Sequence, residues 1–214
     1  MILALILPFI LTARAADEER YGYKHLQNDN QRVAYKAFAE GVAELKKDVL
    51  FVADVDMTGE AWTPIEGYAK TVRGNGYAIK GLTAPLFGAT NASIKGLHLR
   101  DVVLNSNNAA RYGAFACEVV AISEEVPVIE NCSVSGTITV NNPELAGSTN
   151  AIYGGFVGTA VCVTFDSCVS DVDINIVQLN ETNRSKKVYI GGICGYVEGR
   201  TPSYATFVNS KNYG

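Results

Sequence analysis

Histidine is nearly missing from this 214-residue chain. There are two, His25 and His98, beside one tryptophan and two methionines. A histidine-rich metal centre is thereby excluded, and a catalytic imidazole has only two places to sit. Proline is scarce at six, and the 20 glycines follow no Gly-X-Y period, which excludes collagen. Positive charge is not in excess: 18 Lys and Arg stand against 22 Asp and Glu, for a net charge of -4 and a pI of about 5.2. A general nucleic-acid binder needs the opposite balance to neutralise phosphates, so no nucleic-acid partner is expected. The cysteines are five, Cys117, Cys132, Cys162, Cys168 and Cys194. They lack both CxxC spacing and a nearby histidine, which argues against zinc, and their odd number leaves at least one thiol unpaired. No phosphate-binding loop is present. Gly74-Asn75-Gly76 lacks the Lys-Ser/Thr that would follow in one, and reads as a turn.

What is abundant is apolar. Hydrophobic residues make up 48% and charged residues 19%, enough for a sizeable core and too apolar for general disorder. Residues 1–16 read as a signal peptide. An apolar run from Ile2 to Leu11, broken by Pro8, ends in the small-x-small pattern Ala13-Arg14-Ala15. The run is too short to span a bilayer as an ordinary helix, and no second long run follows, so no membrane span is expected in the mature chain. One feature departs from a signal peptide: no Lys or Arg precedes the run. A start codon misplaced within a longer N-terminal region would account for that. The expected localisation is secreted or cell surface.

Residues 17–48 are expected to form an N-terminal helical cap. Asp17 to Arg20 is charged and reads as mobile. From Asp29 to Lys47, Val33, Ala34, Ala37, Phe38, Val42 and Leu45 fall near 3.6-residue spacing. Asp29 or Asn30 can cap the start, and Lys46-Lys47 suit the end of the helix dipole. The apolar stripe needs a partner, and the open end of the following domain is the simplest one.

From Val49 onward, short β-prone runs alternate with Gly, Asn, Ser and Thr. That texture indicates an all-β protein. The runs repeat. One segment type is glycine-rich: Pro85-Leu86-Phe87-Gly88, then Gly113-Ala114-Phe115-Ala116-Cys117, Gly154-Gly155-Phe156-Val157-Gly158 and Gly191-Gly192-Ile193-Cys194-Gly195. It places Leu86, Phe115, Phe156 and Ile193 in one column. A second type places Ile94, Ile129, Phe165 and Phe207 in a column, with Leu97, Cys132, Cys168 and Ser210 three residues later. Ile79-Lys80-Gly81-Leu82 reads as a degenerate earlier copy. Alternating tails follow over Leu99 to Leu104, Val134 to Val140 and Val169 to Ile176, with the strand period. Coils stacked in parallel, each of roughly 30 to 40 residues, would turn these columns into internal ladders. Insertions at Asn141 to Asn150 and Gln178 to Lys187 would form outward loops.

These segments resemble GLUG-type repeats. So does the leader, Asp54-Val55-Asp56-Met57-Thr58-Gly59, Trp62-Thr63-Pro64-Ile65 and the hairpin-like Gly74-Asn75-Gly76. The resemblance covers residues 49–214. It implies a right-handed parallel β-helix-like solenoid of bacterial secreted or surface proteins, often adhesin-like or accessory to surface proteases. Pro85 and Cys117 depart from it, standing where glycines are expected. The array stops at Asn212-Tyr213-Gly214 in mid-repeat, so further repeats, an enzyme domain or an anchor are expected beyond it.

The candidate chemistry is thin. His98 falls in the alternation Leu97-His98-Leu99-Arg100 and is expected to point outward. Asp54/Asp56 and Asp171/Asp173 are i,i+2 pairs that could hold Ca²⁺ or act on glycosidic bonds. No recurring Arg, Lys or Tyr column accompanies them to bind an acidic sugar, and solvated carboxylates are the simpler reading. Cys132 and Cys168 share a column within disulfide reach, with Cys162 as another candidate partner; a stack of small buried thiols is the simpler reading. Exposed Tyr and Asn in the insertions are candidate ligand contacts. No catalytic, cofactor-binding or metal residue is assigned, and no cofactor is expected. The reading is a non-catalytic exported structural or adhesive module whose ligand is a host or matrix glycan or protein. A polysaccharide-acting β-helix enzyme, or an accessory domain of a larger surface protease, is the alternative.

Overall fold

In the computed structural model, the described residues are 18–21, 48–51, 53–107, 110–122, 125–141, 150–177, 187–199 and 204–214. All regular structure among them is strand, and every strand pairing is parallel. The expected signal peptide, the helix over 29–47, His25 and most of both long insertions lie outside the described residues. Glu18–Tyr21 differs from expectation. Read as a mobile leader, it forms an edge strand parallel to Asp48–Phe51. The edge of that neighbouring strand offers its backbone groups a partner, which local composition cannot reveal.

Four parallel sheets run along the molecule. Sheet A joins Glu18–Tyr21, Asp48–Phe51, Val72–Arg73, Ile94–Lys95, Val128–Glu130, Thr164–Asp166 and Thr206–Val208. Sheet B joins Val55–Asp56, Ala78–Lys80, His98–Asn107, Ser133–Asn141, Val169–Ile176 and Lys211–Asn212. Sheet C joins Phe87–Thr90, Ala116–Val120, Val157–Val161 and Cys194–Glu198; sheet D joins Arg111–Tyr112, Ala151–Gly154 and Val188–Gly191. The chain visits A, B and C in turn, and from the third coil it inserts a D strand before C. Each strand pairs with its equivalent one coil later. The all-β, wholly parallel arrangement is compatible with a β-helix-like fold.

The expected columns are in register. Ile94, Ile129, Phe165 and Phe207 are successive partners in sheet A, and Val49 and Val72 extend the ladder backwards. Phe87, Ala116, Val157 and Cys194 are partners in sheet C, which aligns the preceding Leu86, Phe115, Phe156 and Ile193. Identical registers bring like side chains together. Phe115 stacks on Phe156 at 4.9 Å between ring centroids, and Phe165 on Phe207 at 5.0 Å. Both Phe115 and Phe156 are fully buried.

One segment falls in a different column from the one expected. Ile79 of Ile79-Lys80-Gly81-Leu82 pairs with Val55 and Leu99 in sheet B, not with Ile94 in sheet A. The two segments look alike because each carries an aliphatic-Lys-Gly corner with a left-handed glycine, Gly81 at φ 72° and Gly96 at φ 60°. Gly74-Asn75-Gly76 is a turn of hairpin type: Tyr77 N–H donates to the Gly74 carbonyl at 2.9 Å, with Asn75 and Gly76 both at positive φ. The strands it joins, however, lie in different sheets.

The A-to-B corner is the most regular device in the fold. Gly96, Asn131, Ser167 and Asn209 all adopt left-handed φ there, at 60°, 51°, 54° and 50°. The next residue turns its side chain inward. Cys132 Sγ bonds the Ile94 carbonyl one coil back at 3.5 Å, Cys168 Sγ bonds that of Ile129 at 3.2 Å, and Ser210 Oγ donates to that of Phe165 at 3.4 Å. No disulfide joins any of the five cysteines, so the Cys132–Cys168 pair is a stack of thiols.

The glycine-rich segments exist for close backbone approach between sheets D and C. A Cβ on Gly158 would lie 2.6 Å from Tyr112 N and 2.6 Å from Cys117 O. The departure at Cys117 has the same explanation. Sheet D begins at Arg111–Tyr112 among the described residues, so no D strand of an earlier coil lies behind Cys117.

Candidate functional site

The residues singled out by the sequence do not converge. Asp54 Oδ1 accepts the Ala78 N–H at 2.8 Å, tying one coil to the next. Asp56 Oδ1 accepts the Thr58 N–H at 2.9 Å, and its bonds with the Thr58 side chain and backbone hold its carboxyl below the usual range. Asp54 thus serves the stacking of coils and Asp56 its own turn. Asp171 and Asp173 are both exposed on the outer face of sheet B, opposite Ser135 and Thr137. Among the described residues, no group of three or more His, Cys, Asp or Glu gathers to hold a metal. His98 is half-buried, and its Nδ1 lies 2.8 Å from Ser133 Oγ. Burial, with Arg100 close by, depresses its pKa against an opposing pull from Asp54. Burial raises the thiol pKa of Cys132 to about 12 and that of Cys168 to about 11, far from a nucleophile's range.

A site emerges instead where the outward columns of sheets D and C face each other. Registration builds it rung by rung. Arg111, Ile152 and Tyr189 are successive partners in sheet D. Glu118, Thr159 and Tyr196 are successive partners in sheet C. Together they line a groove of about 360 Å³. On the first rung, Arg111 Nη1 meets Glu118 Oε2 at 3.5 Å. On the second, Ile152 and Thr159 form the floor, both more than nine-tenths buried. On the third, Tyr189 and Tyr196 meet edge to face, 5.5 Å apart at 62°. Asn150, Val161 and Glu198 complete the wall, and Asn150 Oδ1 accepts the Lys187 N–H at 3.2 Å.

Two features mark this groove as more than a surface irregularity. The hydroxyls of Ser106, Thr159 and Ser170 are buried without a hydrogen-bond partner among the described residues, and of the three only Thr159 lines the groove; native proteins seldom leave such a group unmet. Tyr196 stays 40% exposed although its ring is held by Tyr189. The repeats kept these residues out of sight. Arg111, Ile152 and Tyr189 each precede a repeated position, and Glu118, Thr159 and Tyr196 each follow one. Their own identities differ from coil to coil, so repeat alignment passes over them. The signal was a pair of non-repeating columns flanking repeating ones.

Among the described residues, no helix is long and apolar enough to cross a membrane. Comparison with family models, with curated proteins and with solved structures finds no match for this chain.

Proposed function

We propose that this chain is a non-catalytic, exported surface module: a right-handed β-solenoid of GLUG-repeat type, closed by an N-terminal helix, that presents a binding face. The observation carrying this reading is the shared register of successive coils, broken in sheet B by one bulge between Val134 and Gly136. The register fuses the core into one stack and lines up outward side chains in columns, such as Val103, Thr137 and Asp173. A stack of that kind is a stiff spacer with a long presenting surface. The right-handed sense follows from the twist of parallel strands joined by crossovers. The structural duties of Asp54, which bonds the next coil, and of Asp56, which bonds its own turn, favour scaffold over catalysis at that end.

The test coats inert beads with the purified chain and measures retention on immobilised glycoproteins and glycans, alongside small-angle scattering and circular dichroism. Retention by an elongated, β-rich particle is expected. A compact, helix-rich particle, or beads that adhere to nothing, would overturn the proposal. Cleavage of a polysaccharide that is lost in Asp171→Asn or Asp173→Asn would replace it with the enzymatic reading.

A further inference from the structure

We infer that the groove between sheets D and C binds an uncharged saccharide, an inference that rests on reading the chain as a binding module. Its chemistry is complementary to a sugar on each rung. Tyr189 and Tyr196 supply rigid ring surface, and an aromatic face is electron-rich, so it attracts the weakly positive C–H face of a pyranose. Tyrosine offers this contact at low entropic cost, having few rotatable bonds. Sugar hydroxyls need both donors and acceptors. Arg111 donates only, Glu118 and Glu198 accept only when ionised, and the Thr159 hydroxyl and Asn150 amide do both. The volume, about 360 Å³, falls at the small end of ligand pockets, about 300–1,000 Å³.

Charge selects among saccharides. Arg111 is the cation of the groove's lining, and it is already paired with Glu118. Uronate, sialate and phosphate groups would find that cation occupied and would have to displace Glu118 from it. A protonated amino sugar would have to give up the hydration of its ammonium and compete with Arg111 for Glu118. A neutral ring meets all three rungs without a charge to desolvate.

The test titrates the whole chain with neutral trisaccharides (cellotriose, maltotriose, mannotriose, xylotriose and N-acetylchitotriose), with trigalacturonate and with deacetylated chitotriose, by calorimetry and tyrosine fluorescence. At least one neutral trisaccharide is expected to bind. Tyr196→Ala and Tyr189→Ala should each weaken it by about tenfold or more, as removal of an aromatic anchor does. Thr159→Val should weaken it while leaving the circular dichroism unchanged and the melting temperature equal or higher, because it removes an unmet buried hydroxyl. Tyr196→Phe, which keeps the ring and the fold, should retain most of the affinity. The inference is overturned if no neutral trisaccharide binds at millimolar concentration, if the trigalacturonate or the cationic chitotriose binds more tightly than every neutral one, or if folded Tyr196→Ala binds like the parent. Bead retention separates the two readings. Beads that still adhere after Tyr196→Ala, uncompeted by any trisaccharide, sink the saccharide groove and leave the adhesive module standing. Beads that never adhere sink the module itself.

Discussion

Cys168 lies one coil beyond Cys132 in the same corner column, and its thiol bonds the Ile129 carbonyl at 3.2 Å as that of Cys132 bonds Ile94 at 3.5 Å. Ser210 occupies the next place and makes the same bond with a hydroxyl. From Cys132 onward the column therefore holds a small side chain carrying a donor, whereas its first member, Leu97, carries none. Cys168→Ser should cost no more than about 1 kcal/mol, since a hydroxyl finds the same carbonyl. Cys168→Val removes the donor and adds a branch in a fully packed corner, so about 1–3 kcal/mol is expected. Urea unfolding of the two variants distinguishes them; equal losses would mean that size alone governs the column.

The same burial makes stability depend on alkaline pH. The thiols of Cys117 and Cys168 are raised to about 11 and that of Cys132 to about 12, in each case chiefly by burial, from an ordinary value of 9.0. Above pH 9 the unfolded chain releases these protons while the native chain keeps them. The unfolded state then binds fewer protons, so stability is full below pH 9 and falls as pH rises towards 11–12. Each thiol contributes at most about 1.4 kcal/mol per pH unit. Tyr112, raised to about 12 by burial, adds to the loss above pH 10. The urea midpoint should drop between pH 8 and pH 10.5, and Cys132→Ser should flatten the drop. A midpoint constant over that range would show that these thiols ionise in the native protein.

Phe115 and Phe156 stack within the core with planes 9° from parallel, whereas Phe207, stacked on Phe165, leaves 45% of its surface exposed. Phe156→Ala should cost about 3–5 kcal/mol, as for a fully buried phenylalanine. Phe207→Ala should cost clearly less, because much of its surface is already in water. A double-mutant cycle on Phe115 and Phe156 should return a coupling of about 0.5–1.5 kcal/mol. Additive single losses would show that the rings share a neighbourhood without contributing to each other.

The ladders were legible because stacking demands similar residues at each coil. Ile94, Ile129, Phe165 and Phe207 are all large and apolar, and the sequence shows the recurrence directly. The first coils were harder. Among the described residues they have no D strand, so Val49, Val72 and Ile94 are only 22 or 23 residues apart, and the repeat length changes after them. Ile79 lies one sheet away from its look-alike Ile94 because aliphatic-Lys-Gly serves two different corners. The groove was not legible at all. Its chemistry comes from positions that vary between coils, and only the register of sheets C and D brings Arg111 to Glu118 and Tyr189 to Tyr196.

Ser167 sits in the left-handed corner at φ 54°, where the equivalent residues are Gly96, Asn131 and Asn209. An L-residue other than glycine, asparagine or aspartate gives up about 1–2 kcal/mol there. Ser167→Asn should stabilise the protein by about 0.5–1 kcal/mol, even after losing the bond from Ser167 Oγ to Asp166 Oδ1. Asn131→Ala should destabilise by about 1 kcal/mol. Thermal melts of the pair check the sign; a loss in Ser167→Asn would mean that the Asp166 bond, not the backbone, decides this corner.

Cys117, Gly158 and Gly195 occupy equivalent places in successive coils, yet they should respond to substitution in opposite ways. A Cβ on Gly158 meets the backbone of Tyr112, and one on Gly195 meets the Tyr153 carbonyl at 2.6 Å, both in the D strand of the preceding coil. Neither backbone can move aside without breaking its own pairing in sheet D. Cys117 faces no earlier D strand among the described residues and already carries a Cβ there. Gly158→Ala and Gly195→Ala should each cost about 1–3 kcal/mol or more through overpacking, and they should shift the groove, since Thr159 and Tyr196 are the next residues along. Cys117→Ala changes little around the D strands and should stay within about 1 kcal/mol. Stability and tyrosine fluorescence measured together decide the matter. If Gly158→Ala proves as mild as Cys117→Ala, the close approach of sheets D and C is not what glycine serves in these repeats.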